Sequence, residues 1–376
     1  MEFYTEFRTR GADFGGGFTN GMTMTGSGSV SECCRVFEDE DKTIFTCLDS
    51  RIECFHRKRG DVTECYSVFT NNGQSDVTLE LLSSFAVKEL RGDVLHRAAS
   101  FWSAEGRLIS QSLVDMNMEQ AWCAASVRVE KFGQLGSMPV RKWFPFMVLE
   151  DTKVHRFTGV QLYCASSWQM EIFRREETLS LCGGLADFDF GHWCKTVRPG
   201  EAFTTPKAVI AEGTSLEEVC DKLVKAQQPR IAAPDEDMPI IFNEYCTTWG
   251  NPTEENLKKI AERLEGSGVK YLVIDSGWYK EEGKDWSGTI GDWNISKSVF
   301  PEGLKKVTDM IRSHGLIPGL WFEMENVGWA AKGYQEARHL LTRFGVPITS
   351  GGRRFWDMRD PWVTEYLTDK VIATFR

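Results

Sequence analysis

Apolar and polar positions follow two different periods along the chain. Up to about residue 230, segments such as "DVTLELLSSFAVKEL" (76–90), "CAASVRVEKF" (123–132), "VHRFTGVQLYCASSWQMEIF" (154–173) and "ETLSLCGGL" (177–185) alternate, with turn residues between them. Thr, Val, Phe and Cys are frequent and helical periodicity is weak, so this stretch predicts strands. So many short strands in 1–230 predict a large β-sandwich domain. One helix, "TSLEEVCDKLVKAQQ" (214–228), ends it, with a Thr-Ser-x-x-Glu start that can cap it. "GGGFTNGMTMTGSGSV" (15–30) is Gly- and Thr-rich, but no Gly-Lys-Ser/Thr follows. It reads as a turn-rich hairpin and not as a phosphate loop.

"PRIAAPDEDMP" (229–239) carries three prolines and three consecutive acids and marks a linker over 231–238. Beyond it the period changes. "PIIFNEY", "VKYLVIDSGWY" and "IPGLWFEMENV" are near-continuous apolar runs that predict strands. Between and after them, "NPTEENLKKIAERLEGSG", "PEGLKKVTDMIRSHGL", "GYQEARHLLTRFG" and "DPWVTEYLTDKVIATF" predict helices. Thr253 or Asn251 caps the first of these, and Pro301 suits the first turn of the second. Buried strands alternating with amphipathic helices predict a parallel sheet covered by helices. The fold class expected is therefore a β-sandwich followed, over 239–376, by the first three to four strand–helix units of a (β/α)8 TIM barrel. A complete barrel takes roughly 250 residues. An open half-barrel exposes an apolar edge, so aggregation or a partner is expected.

Composition narrows the function. A net charge of −10 argues against nucleic acid, which needs clustered Lys and Arg. No apolar run is long enough for a membrane span, and the N-terminus lacks a signal-peptide layout. The eleven cysteines (Cys33, Cys34, Cys47, Cys54, Cys65, Cys123, Cys164, Cys182, Cys194, Cys220, Cys246) are scattered without any C-x-x-C. Reduced, mostly buried thiols in a cytoplasmic protein fit better than a disulfide framework. The six histidines show no zinc spacing, and neither metal nor cofactor is implied. The 13 Trp and 24 Phe are an excess that either fills cores or covers sugar faces.

Barrel sites sit at the C-terminal ends of strands. There the chain places Asn243, Glu244 and Tyr245, then Asp275 and Trp278, then Trp321, Glu323 and Glu325. Carboxylates that accept from hydroxyls, beside rings that cover C–H faces, suit a sugar.

Here the sequence resembles a known family. "YLVIDSGWY" (271–279) is similar to the Asp-Asp-Gly-Trp strand of glycoside hydrolase family 36, the α-galactosidases or melibiases. "GDWNISKSVFPEGLKKVTDMIRSHGLIPGLWFEME" (291–325) and "WDMRDPWVTEYL" (356–367) resemble its following blocks. "FTGVQLYCASSWQMEI" (157–172) and "VRPGEAFTTPKAVIA" (197–211) resemble strands ahead of its barrel. The resemblance implies a retaining glycosidase acting on an α-galactoside oligosaccharide or glycoconjugate. It implies sugar contacts from Asp275, Ser276, Trp278, Trp321 and Tyr245, with Trp249 as the alternative to Tyr245, and from Arg353 or Arg354. Ser276 replaces the family's second Asp, which opens a 2-amino or N-acetyl sugar as substrate. The family's nucleophile lies in a Lys-x-Asp motif that 239–376 lacks. The nucleophile and the acid/base are therefore expected beyond Arg376, and the 376-residue chain alone is expected to be inactive. A homo-oligomer is one expected partner, and a complementing C-terminal polypeptide, which would complete the site, is the other. The alternatives are a non-catalytic galactoside-binding protein, or an α-N-acetylgalactosaminidase or galactosyltransferase of the same fold.

Overall fold

The computed structural model describes residues 1–11, 33–101, 103–120, 127–136, 138, 140–175, 177–228 and 230–375. The hairpin expected over 15–30 lies outside them, as do Cys123 and the start of the 123–132 segment. Contacts divide the chain into two units, Met1–Pro229 and Arg230–Arg376.

The first unit is built from two sheets whose named pairings are all antiparallel. The ten-stranded sheet runs Cys34–Glu38, Lys42–Cys47, Ser50–Arg59, Val62–Asn71, Lys207–Gly213, Arg156–Tyr163, Trp143–Asp151, Val94–Ala99, Arg107–Ser112, with Ala202–Thr204 beside Val62–Asn71. The seven-stranded sheet centres on the long strand Val77–Leu90 and on Thr178–Leu185 and Trp168–Arg175. Val87, Met170, Ile172 and Leu181 of the smaller sheet share one buried cluster with Leu95, Met147, Val160 and Ile210 of the larger. That shared core is the sandwich. Period two decides which face each residue takes: Ala208 and Ile210 turn into this core, while Val209 and Ala211 turn out. The outer face is covered by the helix Leu216–Gln227, whose Val219 and Leu223 pack on Val148, Phe157 and Val209. Ser215 caps it by accepting the Glu218 N–H at 3.1 Å.

The second unit holds three parallel strands in sequential order, Ile240–Asn243, Val269–Ile274 and Ile317–Leu320. Helices Glu254–Leu264, Leu304–Ser313 and Pro361–Lys370 bury Leu257, Ile260, Val307, Ile311, Val363 and Leu367 in one core with Leu272 and Ile274. Thr253, and not Asn251, caps the first of them. The sheet is open. Ile240 and Ile241 on one edge strand are each 58% exposed, and Ile317 on the other is 43% exposed. Among the described residues no helix is long and apolar enough to cross a membrane.

Three expectations are corrected. The helix over 333–345 is absent: Lys332–Gln335 and Ala337–His339 are 3-10 turns, and Thr342–Arg343 pairs with Val346–Pro347 as a small hairpin. Tertiary contacts override the helical pattern. Gly333 lies under the Trp356 ring, where a Cβ would come within 2.2 Å of the indole. Leu340 bridges to Trp356, and the Leu341 N–H donates to the Phe355 carbonyl at 2.8 Å. Pro301 does not open the second helix, which starts at Leu304 after Gly303. The third strand stops at Leu320, and Asn326–Gly328 joins a separate antiparallel sheet with Arg353–Phe355.

Candidate functional site

Parallel register brings the strand ends to one rim. Asn243 lies opposite Val273, and Ile274 opposite Leu320. The ladder then closes with Glu244 N–H to the Val273 carbonyl at 3.2 Å and Trp321 N–H to the Ile274 carbonyl at 2.9 Å. The next side chains from all three strands therefore start side by side.

Asp275 is the hub and is 7% exposed. Its Oδ2 accepts from Asn243 Nδ2 at 2.7 Å and its Oδ1 from the Ser276 N–H at 2.6 Å. Its own N–H donates to Glu244 Oε1 at 2.9 Å. Glu244 is fully buried, and the Thr248 hydroxyl donates to its Oε2. Burial pushes the Glu244 carboxyl above the usual carboxylate range, and the Asp275 charge adds to this. The Ser276 hydroxyl is buried and has no hydrogen-bond partner among the described residues.

A layer of rings starts from the same strand ends, tied to Asn243 by the Tyr245 N–H, which donates to Asn243 Oδ1 at 2.9 Å. Tyr245 meets Trp286 edge-on at 5.9 Å, and Trp286 meets Trp321 edge-on at 6.3 Å. The Arg353 guanidinium stands 5.2 Å from the Trp286 ring centre. Its Nη1 is 3.1 Å from Glu323 Oε2, and its Nε and Nη2 donate to Ser287 Oγ at 3.1 and 2.8 Å. Burial raises the Glu323 carboxyl, and Arg353 opposes that shift.

Of the residues singled out in the sequence, the structure groups Asn243, Asp275, Ser276, Tyr245, Trp321, Glu323 and Arg353 through these contacts. Arg354 points elsewhere: its Nη1 donates to the Tyr334 carbonyl at 2.5 Å and its guanidinium lies 4.1 Å from the Tyr334 ring. Trp249 is 69% exposed and meets the Tyr245 ring edge-on at 5.5 Å. Trp278 is corrected from ligand face to core. It is fully buried, donates Nε1–H to the Trp321 carbonyl at 2.9 Å, and packs with Trp293 and Phe322. Sequence reasoning missed Trp286 and Ser287. The signal was "DWSG" (285–288), where Asp285 caps a short helix by accepting the Gly288 N–H at 2.7 Å. Among the described residues no three His, Cys, Asp or Glu are grouped as metal ligands would be.

Comparison with known proteins agrees with this architecture. Residues 202–352 match the family model described as melibiase. The α-galactosidase Mel36A of Lactobacillus acidophilus is 27% identical over 230 residues, covering 59% of this chain and 30% of that protein. The α-galactosidase AgaA of Geobacillus stearothermophilus is 30% identical over 148 residues, covering 38% of this chain and 20% of that protein. A solved structure of an AgaA variant in complex with raffinose superposes with a TM-score of 0.74 at 19% identity, covering 100% of this chain and 51% of that one. The galactosidase domain of an α-galactosidase–sucrose kinase superposes with a TM-score of 0.76 at 14% identity, covering 99% of this chain and 50% of that one. The chain thus spans less than a third of these two curated relatives and about half of the solved chains. With its strand-end motifs, its sandwich and its open parallel sheet, the chain is similar over 202–352 to the melibiase family and shares the fold of solved glycoside hydrolase family 36 α-galactosidases.

Proposed function

We propose that the rim around Asp275 binds the terminal galactosyl group of an α-galactoside. The observation that carries this reading is a buried carboxylate, fixed by Asn243 and the Ser276 N–H, beside the Tyr245–Trp286–Trp321 rings. A carboxylate oxygen has further acceptor sites for sugar hydroxyls, and indole and phenol rings cover a pyranose C–H face. The Asn243–Asp275, Glu244–Thr248 and Glu323–Arg353 pairs are already engaged with protein groups, as ligand-holding residues are. The whole protein is then a retaining glycosidase that passes through a covalent glycosyl-enzyme, with its nucleophile and acid/base assigned to none of these residues. The ten described cysteines are all free thiols, five of them buried, which suits a reducing, cytoplasmic setting.

Ser276 supports a second reading within the same chemistry. Its buried hydroxyl is neutral and unpartnered where the family resemblance expects an Asp. A 2-acetamido galactoside is the substrate that this change would favour. The test is binding and hydrolysis of aryl α-galactoside and its 2-acetamido analogue by the folded chain. Binding without turnover is expected, and the tighter ligand identifies the sugar. Absence of binding to both would sink the proposal, and turnover would place the nucleophile among these residues.

Trp286→Ala is expected to weaken galactoside binding by about tenfold, because one ring orders Tyr245, Trp321 and Arg353 together. An NMR titration with methyl α-galactoside reads this directly. Unchanged affinity would remove the ring layer from the site.

A further inference from the structure

Two consecutive residues of the first strand end grip Asp275 at opposite ends. Asn243 donates its amide to the Asp275 side chain, while Glu244 accepts the Asp275 main-chain N–H. Side chains of successive strand residues normally point to opposite faces. Glu244 escapes this rule because it has left the strand: its backbone is helical, with φ −82° and ψ −4°. Its carbonyl accepts the Thr247 and Thr248 N–H groups at 2.9 and 3.1 Å, and its side chain accepts the Thr248 hydroxyl. Main chain and side chain are both locked.

On the reading that this rim takes a galactosyl group, we propose that Glu244 is its positioning residue. Its buried carboxylate fixes the Asp275 main chain, and so the direction in which the Asp275 carboxylate meets a sugar hydroxyl.

A glutamine would satisfy the same N–H and hydroxyl without burying a charge. Burying a carboxylate without a cation costs free energy, and among the described residues no Lys or Arg forms an ion pair with Glu244. What the charge adds is field. A second negative group behind Asp275, in a low-dielectric setting, strengthens Asp275 as a hydrogen-bond acceptor. The ionisable group facing Glu244 is Asp275. Because burial raises the Glu244 carboxyl, it ionises above the usual carboxylate range. Sugar affinity therefore rises with pH through that range and falls as pH drops below it.

The experiment follows the affinity for methyl α-galactoside from mildly acidic to neutral pH in the wild-type chain, Glu244→Gln and Glu244→Ala. The Asp275 amide NMR shift is followed over the same range without sugar. Glu244→Ala is expected to weaken binding by about tenfold, since it strands a buried N–H. Glu244→Gln is expected to restore most of the affinity and to abolish the rise with pH. The Asp275 amide shift is expected to titrate in the wild type and to stay flat in Glu244→Gln. An unchanged pH profile, or an unchanged amide titration, in Glu244→Gln would overturn the proposal even if Glu244→Ala failed to fold. If the wild type binds no galactoside, the functional reading fails, while the sugar-free amide titration still decides whether Glu244 controls Asp275.

Discussion

Asp275→Asn is expected to weaken galactoside binding by about a hundredfold and to cost about 1–3 kcal/mol of stability. The substitution keeps the shape of the side chain and removes its charge. In the wild type both oxygens are used: Oδ1 accepts the Ser276 N–H and Oδ2 accepts Asn243 Nδ2. An asparagine has one acceptor oxygen, so one of these two donors must face an NH2 group. The side chain then rotates or is displaced, and the charge-assisted bond to a sugar hydroxyl is lost as well. Each such bond is worth about 1.5–3 kcal/mol, so one lost bond and one mismatch account for the hundredfold. Calorimetric or NMR titration with methyl α-galactoside, beside a thermal melt, separates affinity from stability. Binding within about threefold of wild type would mean that Asp275 is not the carboxylate that holds the sugar.

The parts of this molecule that were legible in the sequence are those set by local period and by position in an element. Alternation announced strands over 76–90 and 177–185, which the smaller sheet holds as Val77–Leu90 and Thr178–Leu185, and the change of period after Pro239 announced the parallel sheet. Strand ends pointed to Asp275, Tyr245 and Trp321, because in a parallel sheet the residues just after each strand share one rim. Features that depend on contacts between distant segments were not legible. Whether an indole is ligand face or core depends on what lies above it. Trp278 and Trp286 both follow the same strand, yet only Trp278 is sealed beneath Trp293 and Phe322. The choice between Arg353 and Arg354 depends on pairing with Asn326–Gly328, which sets Arg353 towards Glu323 and Arg354 towards Tyr334. The inward turn of Glu244 depends on one helical backbone residue at the end of a strand. The segment 333–345 has a helical pattern, but Trp356 claims Gly333 and Leu340 before a helix can form.

The same dependence on distant contacts explains the glycine of "DSGW", and it leads to a large stability effect. Gly277 has φ +100°, a conformation that L side chains rarely adopt. A Cβ there would also come within 2.2 Å of the Gly250 carbonyl oxygen and 3.0 Å of Pro252 Cδ. Backbone cannot move aside as a flexible side chain can. Gly277→Ala is therefore expected to destabilise the second unit by about 3 kcal/mol or more, from strain and overlap together. Gly283→Ala is the control: its φ is +76°, but nothing lies within 4 Å of its Cβ position. That variant carries the strain alone, about 1 kcal/mol. Urea unfolding followed by tryptophan fluorescence compares the two. Equal losses would mean that the Gly250–Gly277 approach is not tight. A larger loss in Gly277→Ala would show that the glycine brings two main chains together. Asp275 can then meet a ligand above while Trp278 seals the core below, which is why a carboxylate, a glycine and an indole end one buried strand.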